Sequence, residues 1–152
     1  MLLCIGEILA DMIGEEKNGI TTYERKAGGA PFNVACALKK FGADVKFVGS
    51  VGDDLVGQFL IKYAKDFGMD TTYIHQNTER NTTLAFVELN EEGERSFCFY
   101  RKNTADYCMP PVSDEQPCQN VIFLVFHNHL GNALDISLTA SLAMPVIPSI
   151  LG

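Results

Sequence analysis

The sequence predicts an α/β fold in which the strands of one sheet run parallel and alternate with helices. Two stretches, 31–41 and 55–67, place apolar residues at helical spacing, and a short β-rich run at 45–48 separates them. A strand–helix–strand–helix order is typical of a parallel sheet flanked by helices. The chain has 152 residues, of which 47% are hydrophobic and 20% charged. It is therefore long enough to bury one core, about one domain.

Composition excludes several classes of protein. A formal net charge of −7 argues against binding nucleic acid, which needs clustered lysine and arginine to neutralise phosphates. No uninterrupted apolar run reaches the roughly 20 residues of a membrane-spanning helix. No basic segment precedes Leu2 and Leu3, so we expect a cytoplasmic protein rather than an exported one. The five cysteines are an odd number without a C-x-x-C pair, which favours reduced thiols over disulfides or a zinc knuckle.

The first elements predicted along the chain are a strand and a hairpin. The apolar run 2–5 ends at Gly6 and is typical of a buried strand. The segment 12–23 contains Gly14, Asn18 and Gly19 between short apolar or β-branched groups, which predicts a hairpin.

Two helices follow. In the first, Pro31 suits the first turn and Gly42 the C-terminal cap, and the predicted apolar face comprises Val34, Ala37, Leu38 and Phe41. In the second, Asp53 or Asp54 can cap the N-terminus and Gly68 ends the helix. Its predicted apolar face comprises Leu55, Phe59, Leu60, Tyr63 and Phe67.

The later part of the chain predicts more strands and then an unusual tail. Two β-rich runs, 83–89 and 95–100, flank a glycine-containing turn, and the apolar run 121–126 is typical of a further core strand. From residue 103 onward there is no lysine or arginine. Pro145 and Pro148 argue against a long terminal helix. A truncated or spliced product, or a shifted reading frame, would each give such a tail.

Four motifs carry a resemblance to a known family. They are CIGEILAD at 4–11, GGAPFN at 28–33, GSVGDDLVG at 49–57, and GERSF at 93–97 with Arg101. In order and spacing they resemble the N-terminal signature of the ribokinase/fructokinase (PfkB-type) carbohydrate kinases, and the fructokinase branch most of all.

The resemblance implies a ribokinase-like parallel sheet flanked by helices, with a small β lid built from about 12–23 and 83–100. It covers the chain as far as about residue 126, which predicts a partial sugar-binding domain at 1–126 and a divergent tail at 127–152. The C-terminal half that carries the nucleotide site in this family is missing, so the resemblance implies a truncated member.

A candidate sugar site lies around the glycine pair. Gly28 and Gly29 precede a helix, where they allow a sharp turn and let a ligand approach free N–H donors. Asn33 offers an amide donor and a carbonyl acceptor to hydroxyl groups. The carboxylate of Asp11 can accept from two adjacent hydroxyls, and the resemblance implies this role. The alternatives are a simple turn, a solvated Asn33 and an exposed Asp11.

Two further residues could face a sugar. Phe99 and Arg101 alternate onto one face of their strand. They could present a ring to the sugar and a cation to its polar or charged end. The alternative is lid packing by Phe99 and a solvated Arg101.

No metal site is expected. Asp53 and Asp54 at a helix start are explained by capping and the helix dipole. His127 and His129 would share a strand face, but no third ligand of suitable spacing accompanies them.

No residue of this chain is a credible catalytic base for phosphoryl transfer. The sequence has no G-x-x-x-x-G-K-[ST] loop, and it lacks the Gly-Ala-Gly-Asp motif with which the resembling kinases build an anion hole and place their base. ATP and Mg²⁺ are expected for the full-length family, and no cofactor-binding residue is assigned here.

Two functional interpretations remain open. The first is the sugar-binding part of an ATP-dependent kinase for a sugar primary hydroxyl, inactive alone. The second is a non-catalytic homologue that binds sugar, forms a homodimer, or pairs through its lid with a full-length kinase. A dinucleotide-binding oxidoreductase is disfavoured because the glycine-rich turn lacks the required spacing.

Overall fold

The computed structural model describes residues 1–89, 95–109, 122–125 and 139–142. The elements are β1 (Leu2–Ile5), β2 (Leu9–Lys17), β3 (Ile20–Gly28), α1 (Ala30–Lys40), β4 (Val45–Gly52), α2 (Leu55–Asp66), β5 (Ile74–Asn77), β6 (Leu84–Leu89), β7 (Arg95–Tyr100), a 3₁₀ helix (Ala105–Tyr107), β8 (Ile122–Val125) and β9 (Thr139–Leu142).

The larger sheet, called the body sheet here, has the strand order β5-β4-β1-β8-β9. Its first four strands are parallel, as the alternation of strands and helices predicts. Strand β9 pairs antiparallel with β8 and was not predicted. The α/β fold with a parallel sheet is thus confirmed.

A second sheet, called the lid sheet, has the order β3-β2-β6-β7. Its first two strands form the predicted hairpin, which turns at Asn18 and Gly19 with φ values of 55° and 75°. Two successive positive φ values match the right-handed twist of the flanking strands. Strand β6 joins β2 in parallel and pairs antiparallel with β7, so two segments distant in sequence form one sheet.

Several sequence predictions fall outside the described residues. They are the turn at 90–94, the boundary at residue 126, and the histidines His127 and His129. The division into 1–126 and a tail therefore stays a prediction. In the described part of the chain, no helix combines the length and apolar character needed to cross a membrane.

The main core lies between the body sheet and the two helices. Phe47 of β4 packs edge to face on Phe32 of α1, with ring centroids 5.2 Å apart. Helix α2 adds Leu60 and Ala64 to the same buried cluster. Aromatic pairs of this geometry stabilise a fold by more than the burial of their apolar area alone.

Each helix buries only part of its predicted apolar face. Leu60 is fully buried, and Val34, Leu38 and Phe59 pack partly buried against the core. Helix α1 buries Pro31, Phe32 and Ala35, whereas Phe41 is 88% exposed. Helix α2 buries Gly57, Leu60 and Ala64, whereas Leu55 is 79% exposed.

Close backbone approach explains the difference. A Cβ on Gly57 would lie only 1.9 Å from the carbonyl oxygen of Gly52 in β4. The closest contact with the sheet is therefore made at a small residue, which a periodicity of large apolar residues does not reveal.

Asp54 links the N-terminus of helix α2 to Thr82, which lies just before strand β6 of the lid sheet. Its carboxylate caps the helix by accepting from the N–H groups of Val56 (3.0 Å) and Gly57 (2.7 Å). It also accepts from the N–H (2.8 Å) and hydroxyl (2.9 Å) of Thr82. Burial alone would raise the pKa of this carboxyl, but these donors hold the pKa below its usual value. The predicted cap is confirmed, at Asp54 rather than at Asp53.

Replacing Asp54 should therefore destabilise the fold. We expect Asp54→Ala to lower the free energy of unfolding by about 2 to 3 kcal/mol, because a cap and charge-assisted hydrogen bonds are lost together. Urea denaturation measures this, with Asp53→Ala as the matched control because Asp53 is exposed. Because folding lowers the pKa of Asp54, this carboxylate stabilises the fold fully above pH 3.8, the ordinary pKa. The stabilisation is lost as the pH falls through the lowered pKa. Equal stability of the two variants at neutral pH would contradict the assignment.

Candidate functional site

Asp11 lies in β2, close to where the chain leaves the body sheet for the lid sheet. The strand register places it beside Lys26 of β3 on one side and beside Ala85 of β6 on the other, and Ala85 pairs in turn with Phe99 of β7. Residues paired in this way point to the same side of a sheet. We call that side the inner face of the lid sheet.

The glycine pair makes room for the Asp11 carboxylate. A Cβ on Gly28 would lie 2.1 Å from Oδ2 of Asp11, so the carboxylate occupies the space that a side chain would fill. Gly29 is the N-cap of α1 with φ 103°, a conformation that favours glycine. A Cβ there would lie 2.6 Å from the carbonyl oxygen of Glu7. Gly29 is thus required by its backbone conformation and contact, and Gly28 leaves the space that the Asp11 side chain fills.

Asn33 belongs to the same junction. Its N–H donates to the carbonyl oxygen of Gly29 over 2.9 Å in the first turn of α1, and its side chain is exposed. The structure therefore places Asn33 in the first helical turn after Gly29, while the half-buried carboxylate of Asp11 lies against Gly28. Such groups can accept from and donate to hydroxyl groups of a ligand.

The Asp11 carboxylate lies in a partly desolvated setting. Burial raises the pKa of this carboxyl above its usual value. Its register neighbour Lys26 forms an ion pair with Glu24 at 3.1 Å, and both of those side chains are exposed. Hydrogen-bond donors on a polar ligand would therefore stabilise the charged form of Asp11.

Phe99 presents an aromatic surface on the inner face. It is 54% exposed and stacks on Phe97, with centroids 6.2 Å apart and an interplanar angle of 11°. Between Phe99 and Asp11 the register places only Ala85, which is buried and small. The inner face therefore combines a carboxylate, a shallow centre and exposed rings.

Arg101 has partners that the sequence did not predict. Its Nε donates to Oδ2 of Asp106 over 2.6 Å, and its Nη2 donates to Oε2 of Glu7 over 3.0 Å. Burial alone would lower the pKa of the guanidinium, but the carboxylates of Asp106 and Glu7 raise it above its ordinary value. The side chain is only 16% exposed, so it is neither solvated nor simply a surface cation.

Hydroxyl groups complete the surroundings of Asp106. Its Oδ1 accepts from the hydroxyls of Thr83 (2.7 Å) and Thr104 (2.6 Å). Sequence reasoning missed this cluster, because its members come from three separate segments. The one available signal is Glu7, a lone carboxylate inside an apolar run, since a buried charge requires a partner.

The chain is similar in sequence to known carbohydrate kinases. Residues 1–143 match the family model of the pfkB family carbohydrate kinases. The chain is 38% identical over 111 residues to probable fructokinase-5 of Arabidopsis thaliana, covering 70% of this chain and 34% of that protein. It is also 38% identical over 111 residues to fructokinase-2 of Oryza sativa, covering 70% and 33%. The chain thus spans about a third of the length of the curated relatives that it matches.

Solved structures agree. A crystal structure of fructokinase from Xylella fastidiosa has 42% identity and a TM-score of 0.64, over 69% of this chain and 33% of that one. Another structure of that enzyme, with bound ATP, gives a TM-score of 0.63. The fructokinase of Halothermothrix orenii has 30% identity and a TM-score of 0.64, over 74% and 41%.

The contact between Gly28 and Asp11 can be tested by a double-mutant cycle. Gly28→Ala should cost about 1 to 3 kcal/mol of unfolding free energy, because the new methyl group displaces the carboxylate. In an Asp11→Ala background most of that cost should disappear. Gly14→Ala in β2 is the control, since the nearest atom to its Cβ would be a side-chain carbon of Tyr23, at 3.2 Å. Additive costs in chemical denaturation would show that the two residues do not compete for space.

Proposed function

This chain belongs to the pfkB family of carbohydrate kinases, and we propose that it supplies the sugar-binding part of an ATP-dependent, fructokinase-type kinase. The substrate would be a sugar that is phosphorylated on a primary hydroxyl. The observation that carries the proposal is the junction of Asp11, Gly28, Gly29 and Asn33, where a carboxylate and an amide flank a backbone turn that no larger residue could form.

The chemistry of this junction suits adjacent hydroxyl groups. A half-buried carboxylate forms charge-assisted hydrogen bonds with hydroxyl donors, which are stronger than neutral ones. Asn33 can both donate and accept. Phe99 can cover the apolar face of a sugar ring, and Arg101, at the base of the inner face, borders the same region. These six residues, Asp11, Gly28, Gly29, Asn33, Phe99 and Arg101, constitute the proposed substrate site.

The triphosphate of ATP does not fit the same place. The turn before α1 offers a helix N-terminus, but the Asp11 carboxylate lies over Gly28 and would repel a phosphate. The described residues therefore fit a neutral polyol at this turn. For the whole protein we propose ATP with Mg²⁺ bound elsewhere, and we assign the catalytic base to no residue of this chain.

A second role, association through the lid sheet, has its own support. The face opposite to the inner face carries Tyr23, Phe86 and Tyr100, whose neighbouring rings lie 5.1 and 5.3 Å apart. Tyr100 is 61% exposed, and β7 is an outer strand of its sheet. An exposed aromatic face beside an outer strand favours pairing with a second copy or with a longer homologue.

Sugar binding should depend on Asp11 and Asn33. We expect Asp11→Ala to weaken fructose binding by roughly ten- to hundredfold, because a hydrogen bond to a charged group contributes about 1.5 to 3 kcal/mol. Asn33→Ala should weaken binding less, since the amide is neutral and exposed. Isothermal calorimetry measures both, with Glu16→Gln as a control for a lost carboxylate on the exposed part of β2. If Asp11→Ala and Asn33→Ala bind fructose like the parent chain, the site is wrongly assigned.

A charge on the aromatic face opposite to the inner face should weaken self-association. Tyr100→Glu should shift the chain towards monomer at micromolar concentration, because a charge in an apolar contact is desolvated without a partner. Phe41→Glu is the control, as Phe41 is 88% exposed and lies at the end of α1. Sedimentation velocity decides the matter. A parent chain that is already monomeric would refute the association.

A further inference from the structure

We infer that Glu7 and Asp106 are specificity-determining residues, which neutralise Arg101 and so make the site select uncharged sugars over sugar acids and other anionic ligands. The inference rests on the proposed sugar site and concerns its choice of substrate. A lone arginine at this position would instead attract a carboxylate or phosphate on the ligand.

The geometry engages the guanidinium from two directions. Asp106 holds Nε at 2.6 Å, and Glu7 holds Nη2 at 3.0 Å. Asp106 is itself fixed by the hydroxyls of Thr83 and Thr104. An anionic ligand could bind Arg101 with full strength only by displacing one of these carboxylates.

The cluster lies next to the proposed site. The carbonyl oxygen of Glu7 abuts Gly29, where a Cβ would approach it to 2.6 Å, and Gly29 begins the helix that carries Asn33. Arg101 follows Phe99 by two residues, which continues the inner face towards the body. The charges of this cluster therefore interact electrostatically with a ligand bound at the glycine turn.

The positive charge of Arg101 is engaged by two carboxylates, those of Glu7 and Asp106. Asp11 adds a further negative charge on the inner face. Lys26, the nearest basic residue to Asp11 in the register, is exposed and paired with Glu24. A ligand at the glycine turn therefore meets the negative charge of Asp11, while the positive charge of Arg101 is already engaged by two carboxylates.

Burial makes these charges effective. The side chains of Glu7, Asp106 and Arg101 are 6%, 1% and 16% exposed. Salt and water screen such groups far less than surface charges, so a repulsion over a few ångströms is strong enough to change affinity by an order of magnitude. A sugar hydroxyl experiences no such penalty.

The test compares fructose with a ketose acid, 2-ketogluconate, by calorimetry on the 152-residue chain. We expect the parent chain to prefer fructose by at least about tenfold. Glu7→Gln, which keeps the shape and removes one of the two carboxylates that engage Arg101, should narrow that preference by about tenfold. Glu16→Gln removes the same charge on the opposite side of β2 and should leave the preference unchanged.

A second measurement needs no variant. If the cluster repels anions, raising the ionic strength should strengthen binding of 2-ketogluconate relative to fructose in the parent chain. If Arg101 attracts them, added salt should weaken it. Equal affinity for the two ligands, or weakening by salt, would overturn the inference while leaving the sugar site intact.

Failure of both ligands to bind would instead overturn the proposed sugar site. The electrostatic inference is then decided with inorganic phosphate, by following the Nε–H resonance of Arg101. Phosphate should perturb it in Glu7→Gln but not in Glu16→Gln. The same response in both variants would refute the inference.

Discussion

The close packing of Gly29 against the carbonyl of Glu7 is the contact on which the site depends. At this point the chain has left the body sheet after β1, formed the hairpin of the lid sheet and returned to begin α1. Only glycine provides the positive φ and the absent Cβ that the return requires. The same junction places the Asp11 carboxylate against Gly28 and begins the helix that carries Asn33, so a single turn positions both residues.

The charged cluster beside this junction serves selectivity better than stability. Taking three charges out of water is costly, and their mutual attraction recovers that cost only with good geometry and further hydrogen bonds. Here Asp106 has both, through Arg101 and two threonine hydroxyls. An apolar cluster of similar volume could hold the lid sheet equally well. Retaining two carboxylates around one arginine is explained by what the cluster does to the field at the neighbouring turn.

Local patterns predicted much of the fold and named several residues of the candidate site. The hairpin at Asn18 and Gly19 follows from residues that tolerate positive φ, and the motifs around Gly28 predicted a sugar site whose role stays a prediction. The buried helix positions were only partly predicted, because Gly57 and Ala64 carry little hydrophobic weight although they permit the close approach. The partners of Arg101 could not be predicted from local patterns. Glu7 is 94 residues away in sequence, and Asp106, although only 5 residues away, lies beyond the end of the strand.

Among the described residues, Arg25 and Arg101 connect the lid sheet to its surroundings by cationic contacts of different kinds. Arg25 of β3 lies over the ring of Phe59 in α2, 4.0 Å from its centroid, at an exposed position. Arg101 is largely buried between carboxylates. An exposed cation–π contact contributes on the order of 0.5 to 1 kcal/mol. Removing one partner of a buried charge pair, by contrast, leaves an uncompensated charge and costs about 3 to 5 kcal/mol. The buried cluster therefore sets the orientation of the inner face relative to the glycine turn, and the exposed contact only supports it.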